Sequence, residues 1–276
     1  MHPDTPRTRP QRIAQDTYLV PHLVPAGELG FVPVNSMVIT GREPVVVDTG
    51  APLHREQWLA DVFGLVAPED VKWIFVSHDD TDHVGNLREA LDQCPSATLL
   101  TDFQTWQRLS VDFDMPLHRM RWLNPGESLD AGDRTLHAVL PPLFDSPATR
   151  GLVDGTSGVM WAADAFAAPA PGPVHEARDL PPGMFDASFV PFNSTANPWH
   201  GWLDPVAYGR HLDTLRQLPV EVVASCHGPV LRGELLDHAY AMTHAMAGAP
   251  VVPAPGQPLL DAILAAALGS AAATAR

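Results

Sequence analysis

At residues 73–86 the chain passes from the apolar tetrad Trp-Ile-Phe-Val directly into Ser-His-Asp-Asp-Thr-Asp-His-Val-Gly-Asn. Two histidines and three aspartates fall within positions 78–83. The tetrad reads as a buried strand, so the acids sit where a core element ends. Two carboxylates ~4 Å apart repel by about 4 kcal/mol at an effective dielectric near 20. A fold that ends a core strand this way needs positive charge among the acids, and a metal ion supplies it. The competing reading is an acidic surface loop with incidental histidines. His78 and Asp80 are two apart, so in an extended segment they project to one side. Asp82 and His83 follow as the chain turns toward a helix and can face a second centre. Imidazole and carboxylate donors together suit Fe, Mn or Zn.

Short apolar or β-branched runs at 17–20, 33–39, 44–47 and 71–76 read as strands, and the spacing of Trp58, Leu59, Val62 and Phe63 predicts a helix over 53–65. A helix starts at 87–91, a strand covers 97–100 and a helix 103–109. A second β-rich half has strands at 120–123, 134–140 and 158–162. Residues 169–191 are rich in Pro and Gly and read as an irregular excursion. A helix over 204–218, a strand at 220–225 ending at Cys226-His227-Gly228, and a helix over 234–246 complete the pattern. Two successive strand-then-helix halves predict an α/β fold in which two mixed sheets lie between helices, an αββα sandwich. The alternative, a doubly wound parallel sheet, lacks its usual phosphate loop in this chain. We expect one domain over residues 1–248 and a Pro/Ala-rich C-terminal tail over 249–276.

The formal charge of −15, with Lys72 the single lysine, repels phosphate backbones and argues against nucleic acid as a partner. The basic residues of the N-terminal arm, Arg7, Arg9 and Arg12, are too few to reverse that. No apolar run approaches a membrane span, and the polar, proline-broken N-terminus lacks a signal-peptide core, so we expect a cytoplasmic protein with no membrane partner. Cys94 and Cys226 give no disulfide framework. Cys226 is read as a buried structural thiol, with contact to a metal site as the alternative.

The spacing His78-x-Asp80-x-Asp82-His83, followed by Gly85-Asn86, resembles the metallo-β-lactamase superfamily, whose usual form is His-x-His-x-Asp-His after a strand of an αββα sandwich. Val45-Val46-Val47-Asp48-Thr49-Gly50 is similar to that superfamily's strand ending in Asp-Thr-Gly. Asp164, in Ala-Ala-Asp-Ala-Phe, matches its metal-bridging aspartate, and His227, in Ser-Cys-His-Gly-Pro, its final histidine ligand. The likeness spans residues 17 to 245. The zinc hydrolases carry His where this chain has Asp80, whereas the flavodiiron and oxygen-binding diiron proteins carry Glu. A carboxylate there makes the site harder and favours Fe or Mn over Zn. These families supply one more His between the acidic motif and the bridging aspartate. Here the matching stretch, residues 140–149, has none, and Asp145, 19 residues before Asp164, is its substitute. The other reading of Asp145 is a turn-former bonding its own backbone. His137 lies inside the preceding strand and is read as a strand-face residue.

The resemblance thus implies seven metal ligands: His78, Asp80, Asp82, His83, Asp145, Asp164 and His227. Four carboxylates facing two divalent ions balance their charge, favour a redox-active pair and depress the Lewis acidity a hydrolase needs. The first expectation is a diiron site that binds or reduces O2, or a related small oxidant. Residues after His227 leave no room for the FMN domain of flavodiiron enzymes, so electrons would come from a separate reductase. A dinuclear hydrolase of esters, thioesters or lactams, with Zn or Mn and with Asp82 orienting a hydroxide nucleophile, is the second. A non-catalytic O2 sensor or degenerate member is the third. The aromatic and polar segment 192–202 is read as surface packing or as a lid, with His200 a possible proton donor. His22, His54, His118, His175, His211, His238 and His244 are read as ordinary. The sequence leaves a homo-oligomer open.

Overall fold

The computed structural model describes residues 5–25, 31–170 and 172–274. Its strands form two sheets. The first runs in the order β1 (Gln11–Ala14), β2 (Thr17–Pro25), β3 (Phe31–Ile39), β4 (Val45–Val47), β5 (Trp73–Phe75), β6 (Thr98–Thr101), β7 (Met120–Trp122). The second runs β13 (Leu231–Arg232), β12 (Val222–Ala224), β11 (Val159–Trp161), β10 (Gly151–Asp154), β9 (Thr135–Val139), β8 (Ser128–Asp130). Strands β4 to β7 are parallel, as are β11 and β12; the remaining pairs are antiparallel.

The period-two alternation of strand side chains sorts each apolar run into two cores. Val45, Val47 and Phe75 meet Leu152, Trp161, Val222 and Ala224 between the sheets. Their neighbours Val46 and Ile74 face outward onto Trp58 and Val62 of α1 (Arg55–Phe63) and Leu87 and Leu91 of α3 (Leu87–Gln93). On the far side, Val153, Met160 and Val223 face Phe189 of α5 (Met184–Ala196), Leu212 of α6 (Pro205–Arg216) and Tyr240 of α7 (Gly233–Met246). That is the four-layer αββα sandwich.

Two expectations need correction. Residues 184–191, read as part of the irregular excursion, belong to a helix that runs from Met184 to Ala196 despite Pro191. Proline removes one helix hydrogen bond, but Phe185, Phe189 and Asn193, spaced four apart, bury one face of the turn-rich segment and outweigh it. Strand β10, whose four residues are all buried, was not read at all. Its Gly151 and Asp154 look like turn-formers, yet Gly151 is needed because a Cβ there would stand 2.9 Å from the Trp161 carbonyl. Strands β1, β8 and β13 also escaped the sequence reading. His137 lies on an exposed face of β9, as expected. Residues 257–274 form a helix, α8. No helix among the described residues is long and apolar enough to cross a membrane.

The topology places the site. Asp48 and Ser77 leave the C-terminal ends of parallel neighbours β4 and β5, while Asp164 and His227 follow the ends of parallel neighbours β11 and β12. Ligands of open α/β sheets gather outside the carboxyl ends of strands. The two edges are tied together by Asn35 of β3, whose backbone N–H donates to the Cys226 carbonyl at 2.9 Å and whose Nδ2 donates to the carbonyls of Ser225 (2.8 Å) and Gly228 (2.9 Å).

Candidate metal centre

Six of the seven proposed ligands surround the seventh, Asp164. Its Oδ1 lies 3.0 Å from His83 Nε2 and 3.4 Å from His227 Nε2, and Asp82 Oδ2 lies 3.2 Å from that same His227 nitrogen. Its other oxygen, Oδ2, lies 3.6 Å from His78 Nε2. Around that nitrogen stand Asp145 Oδ2 at 3.6 Å and Asp80 Oδ2 at 3.8 Å. The arrangement therefore has two halves that share one carboxylate: Asp82, His83 and His227 on one side, His78, Asp80 and Asp145 on the other. The side chains of His78 and His83 are fully buried, whereas Asp80 is 53% and Asp82 30% exposed, so the cluster opens to solvent through these acids.

Local structure explains each placement. The short helix α2 (Thr81–Val84) begins right after Asp80 and swings Asp82 and His83 inward. Gly85 follows, where a Cβ would stand 2.3 Å from Pro52 Cδ and 2.6 Å from the Gly50 carbonyl, so only glycine lets the two loops touch. Asn86 locks them by donating from Nδ2 to the Thr49 carbonyl at 2.6 Å. Asp48 and Ala163, which open the loops after β4 and β11, have φ of 56° and 50°. Left-handed backbone costs a non-glycine residue ~1–2 kcal/mol, strain of the kind that collects at functional sites.

All three imidazoles are oriented by a partner at Nδ1. His83 Nδ1 donates to the buried carboxylate of Asp48 at 2.8 Å, and His227 Nδ1 donates to the Pro33 carbonyl at 2.8 Å. Ser77 Oγ donates to Asp48 Oδ2 at 2.7 Å, which leaves it to accept from His78 Nδ1 at 3.1 Å. Because Nδ1 carries the proton in each ring, each neutral ring turns a bare Nε2 lone pair toward the others. His78 Nε2, His83 Nε2 and Asp164 Oδ1 are buried and have no hydrogen-bond partner. Bare lone pairs facing carboxylates repel unless a cation or a proton lies between them. The donor set fits a pair of metal ions, with an outer carboxylate, carbonyl and hydroxyl orienting His83, His227 and His78 in turn, as metal-bound histidines are held.

Protons are the alternative occupants, and the electrostatics follow. Burial opposes charge on His83 and on His227, yet the groups around them, Cys226 and Asp164 first, raise both well above the ordinary histidine value. Burial would raise Asp82, but the hydrogen bond to His227 and the charges of His83 and His227 hold it at about 2. Burial likewise opposes Asp164, and the same two imidazoles with His78 drive it far below the carboxylate range. Asp80 moves upward, through burial and, after the opposing influence of His78, through the charge of Asp145.

Asp145 turns one oxygen to the cluster and the other to its own loop. Its Oδ2 faces His78, while Oδ1 accepts from the Thr149 hydroxyl at 3.0 Å. The turn's own backbone is served by Ser146, whose Oγ accepts from Ala148 N at 3.2 Å. Asp79, the third acid of the motif, points away and pairs with Arg108 of α4 (Phe103–Leu109) at 2.8 Å; the same guanidinium nitrogen donates to Ser146 at 2.9 Å, joining the two loops. His200 is not a proton donor to the cluster: it is buried between Ser194 Oγ (2.8 Å) and the Met246 carbonyl (2.7 Å). Residues 192–202 form the end of α5 and a short 3-10 turn rather than a lid, though the Phe192 ring lies 5.4 Å from that of His227. Sequence reasoning missed Asp48, Ser77, Pro33 and Trp161 as supports. Asp48 had a visible signal, a carboxylate directly after Val-Val-Val.

Known proteins share the fold on which this cluster is built. The chain is 26% identical over 202 residues to a diflavin flavoprotein A of Nostoc sp., covering 72% of this chain and 33% of the relative. It is 24% identical over 215 residues to the type A flavoprotein fprA of Rhodobacter capsulatus, covering 76% and 47%. Thus the chain spans between a third and a half of these curated relatives. Among solved structures, the flavodiiron protein of Giardia intestinalis superposes with a TM-score of 0.77 at 18% identity, covering 88% of this chain and 60% of that one. Rubredoxin oxygen:oxidoreductase of Desulfovibrio gigas gives 0.75 at 14% identity, covering 87% and 61%. These likenesses show the fold, the αββα sandwich expected from the sequence. The family model described as ODP family beta lactamase matches residues 32–228, and the chain belongs to that family.

Proposed function

We propose that the chain holds two metal ions, iron by preference, and that the centre binds or reduces O2 or a related small oxidant with electrons from a separate partner. The observation that carries this is the convergence of three Nε2 atoms on a shared carboxylate, two of which, in His78 and His83, are buried without a hydrogen-bond partner among the described residues. One ion would be held by Asp82, His83, His227 and Asp164 Oδ1; the other by His78, Asp80, Asp145 and Asp164 Oδ2. The carboxylates of the second set are hard donors, which supports Fe, or Mn, over Zn. Bound there, a pair of irons supplies the one-electron steps that O2 chemistry needs. The chain's own part is to fix the rings through Asp48, Ser77 and Pro33, to bridge through Asp164, and to leave an approach beside Asp80 and Asp82. Four carboxylates on two ions weaken the Lewis acidity that metal-bound hydroxide requires, which counts against the hydrolase reading. The Desulfovibrio gigas protein is named for oxygen and rubredoxin, which supports a small redox carrier as donor. We take residues 1–248 as the domain and 249–276 as an appended tail.

Anaerobic loading with Fe(II) followed by oxygen tests this. The expected result is two irons per chain, O2 consumption in proportion to the iron pair, and a yellow to brown product with near-ultraviolet charge-transfer absorption. A chain that takes up no iron, or whose ferrous form is inert to O2, overturns the proposal.

A further inference from the structure

We propose that the Cys226 thiolate is a further ligand of the ion held by Asp82, His83 and His227, giving the two halves of the centre different chemical character. The inference rests on the metal centre proposed above. Cys226 Sγ, an Asp82 carboxylate oxygen and ring nitrogens of His83 and His227 all lie within 4.8 Å of one another. The residue is fully buried, and so is His83, whose unpartnered Nε2 turns into the same space. A single ion with bonds of about 2.0–2.3 Å to nitrogen, oxygen and sulfur draws such a set together with small side-chain shifts.

The backbone leaves Cys226 little choice of direction. Its N–H donates to the Ala163 carbonyl at 2.8 Å and its carbonyl accepts from Asn35 N at 2.9 Å, so both sheets clamp it. Ser225 on one side is turned to the Ala163 carbonyl at 3.2 Å, and His227 on the other is held by Pro33 at 2.8 Å. The sequence reading of a purely structural thiol therefore gives way to a sulfur held at the rim of the cluster. On coordination the thiol proton leaves to solvent and a metal–sulfur bond forms, with no change of oxidation state.

Two consequences follow. Sulfur is the soft donor among hard ones, so the ion beside Cys226 is the softer of the pair and the ion beside Asp80 and Asp145 the harder. Four carboxylates and one thiolate face two cations, so two divalent ions leave one negative charge over. A pair holding one divalent and one trivalent ion is neutral, which makes the half-oxidised state the electrostatically favoured one.

Cobalt(II) serves as the probe, independent of which metal is native. The metal-free full chain is loaded anaerobically to two equivalents, bound cobalt is measured, and the near-ultraviolet thiolate-to-cobalt charge-transfer band is read. The expected result is a band of one thiolate's intensity, lost in Cys226→Ser and retained in Cys94→Ser. Two bound cobalt ions without the band overturn the inference and leave the metal centre standing; failure to bind cobalt overturns both. Because the wild-type spectrum is itself decisive, a poorly folding variant does not protect the inference. Zinc K-edge absorption of the wild-type chain gives a second reading, with one sulfur neighbour for every two zinc ions, at about 2.3 Å, expected. A shell of nitrogen and oxygen alone contradicts it.

Discussion

Replacing Asp48 with Asn removes one charge and changes no heavy-atom shape, which makes it a sharp probe of how the centre is held. The carboxylate accepts four hydrogen bonds: Ser77 N on Oδ1 at 2.7 Å, and Ser77 Oγ, His83 Nδ1 and Trp161 Nε1 on Oδ2 at 2.7, 2.8 and 2.9 Å. Asn keeps the last three only by placing its own N–H2 against the Ser77 N–H. That leaves one buried donor unmet, at ~1–3 kcal/mol, and turns three charge-assisted bonds into neutral ones, each weaker by about 1 kcal/mol. Burying a neutral amide instead of a carboxylate recovers part of this. We expect a net loss of about 2–4 kcal/mol, a large share of the ~5–15 kcal/mol that holds a domain together. Urea unfolding of the metal-free chain measures it. Metal affinity, followed by competition with a chelator, should weaken ~10–100-fold, since the oxygen that accepts from His83 Nδ1 becomes neutral and fixes the ring's tautomer and basicity less firmly. Unchanged affinity, with stability inside the ~0.5 kcal/mol of an ordinary surface change, would refute the assignment of Asp48 as the anchor of the centre.

Other consequences are testable in the same preparations. His83 and His227 are raised well above the ordinary histidine value in the metal-free cluster, so loading at neutral pH should expel protons and metal affinity should climb with pH; calorimetry in buffers of differing ionisation enthalpy reads the release, and none would contradict the proton–metal exchange. In the metal-free chain the stability these two rings add is full below the unfolded histidine pKa and fades as pH rises through their folded values. The opposite sign holds at His22, which burial and the stacked His54 (5.0 Å between ring centroids) lower to about 3. Its approach to Asp61 at 3.5 Å is therefore not an ion pair, because the imidazole is neutral above that value. Stability from neutral His22 is complete above the unfolded pKa and drains away as pH falls toward 3, by up to about 4–5 kcal/mol; His22→Gln should flatten that acid limb, and an unchanged limb would contradict the assignment. Gly85→Ala forces a Cβ to 2.3 Å from Pro52 Cδ, so we expect a loss of about 1–3 kcal/mol in thermal unfolding together with poorer metal retention. Asp145→Ala should cut bound metal toward one ion per chain by elemental analysis, and full occupancy would remove Asp145 from the ligand set.

Much of this molecule was legible because its information is local. The run Val45-Val46-Val47 shows a buried strand with two residues for one core and one for the other, and the spacing within 78–83 shows which acids and imidazoles can share a side. Other features depend on contacts that no spacing reveals. His83 is oriented by a residue 35 positions away, and His227 by one 194 positions away. Helix α5 was hidden by Pro191, whose local cost is outweighed by apolar faces supplied from α7 and the second sheet. Strand β10 was hidden because its glycine, needed for close packing, looks like a turn. At Asp145 the turn reading misplaced the partner: Oδ1 accepts from the Thr149 side chain four residues on, and the turn's backbone is bonded by Ser146 instead.

The central claim is that imidazole lone pairs and carboxylates from four strand ends are reconciled by two cations on either side of Asp164. Anomalous diffraction at the iron edge, from crystals of protein purified without added metal, tests it most directly. The account predicts two peaks flanking the Asp164 carboxylate, about 3.5–4 Å apart, one beside His78, Asp80 and Asp145 and the other beside Asp82, His83 and His227. A map with no peak there, or with His78, His83 and His227 turned away from one another, would contradict it.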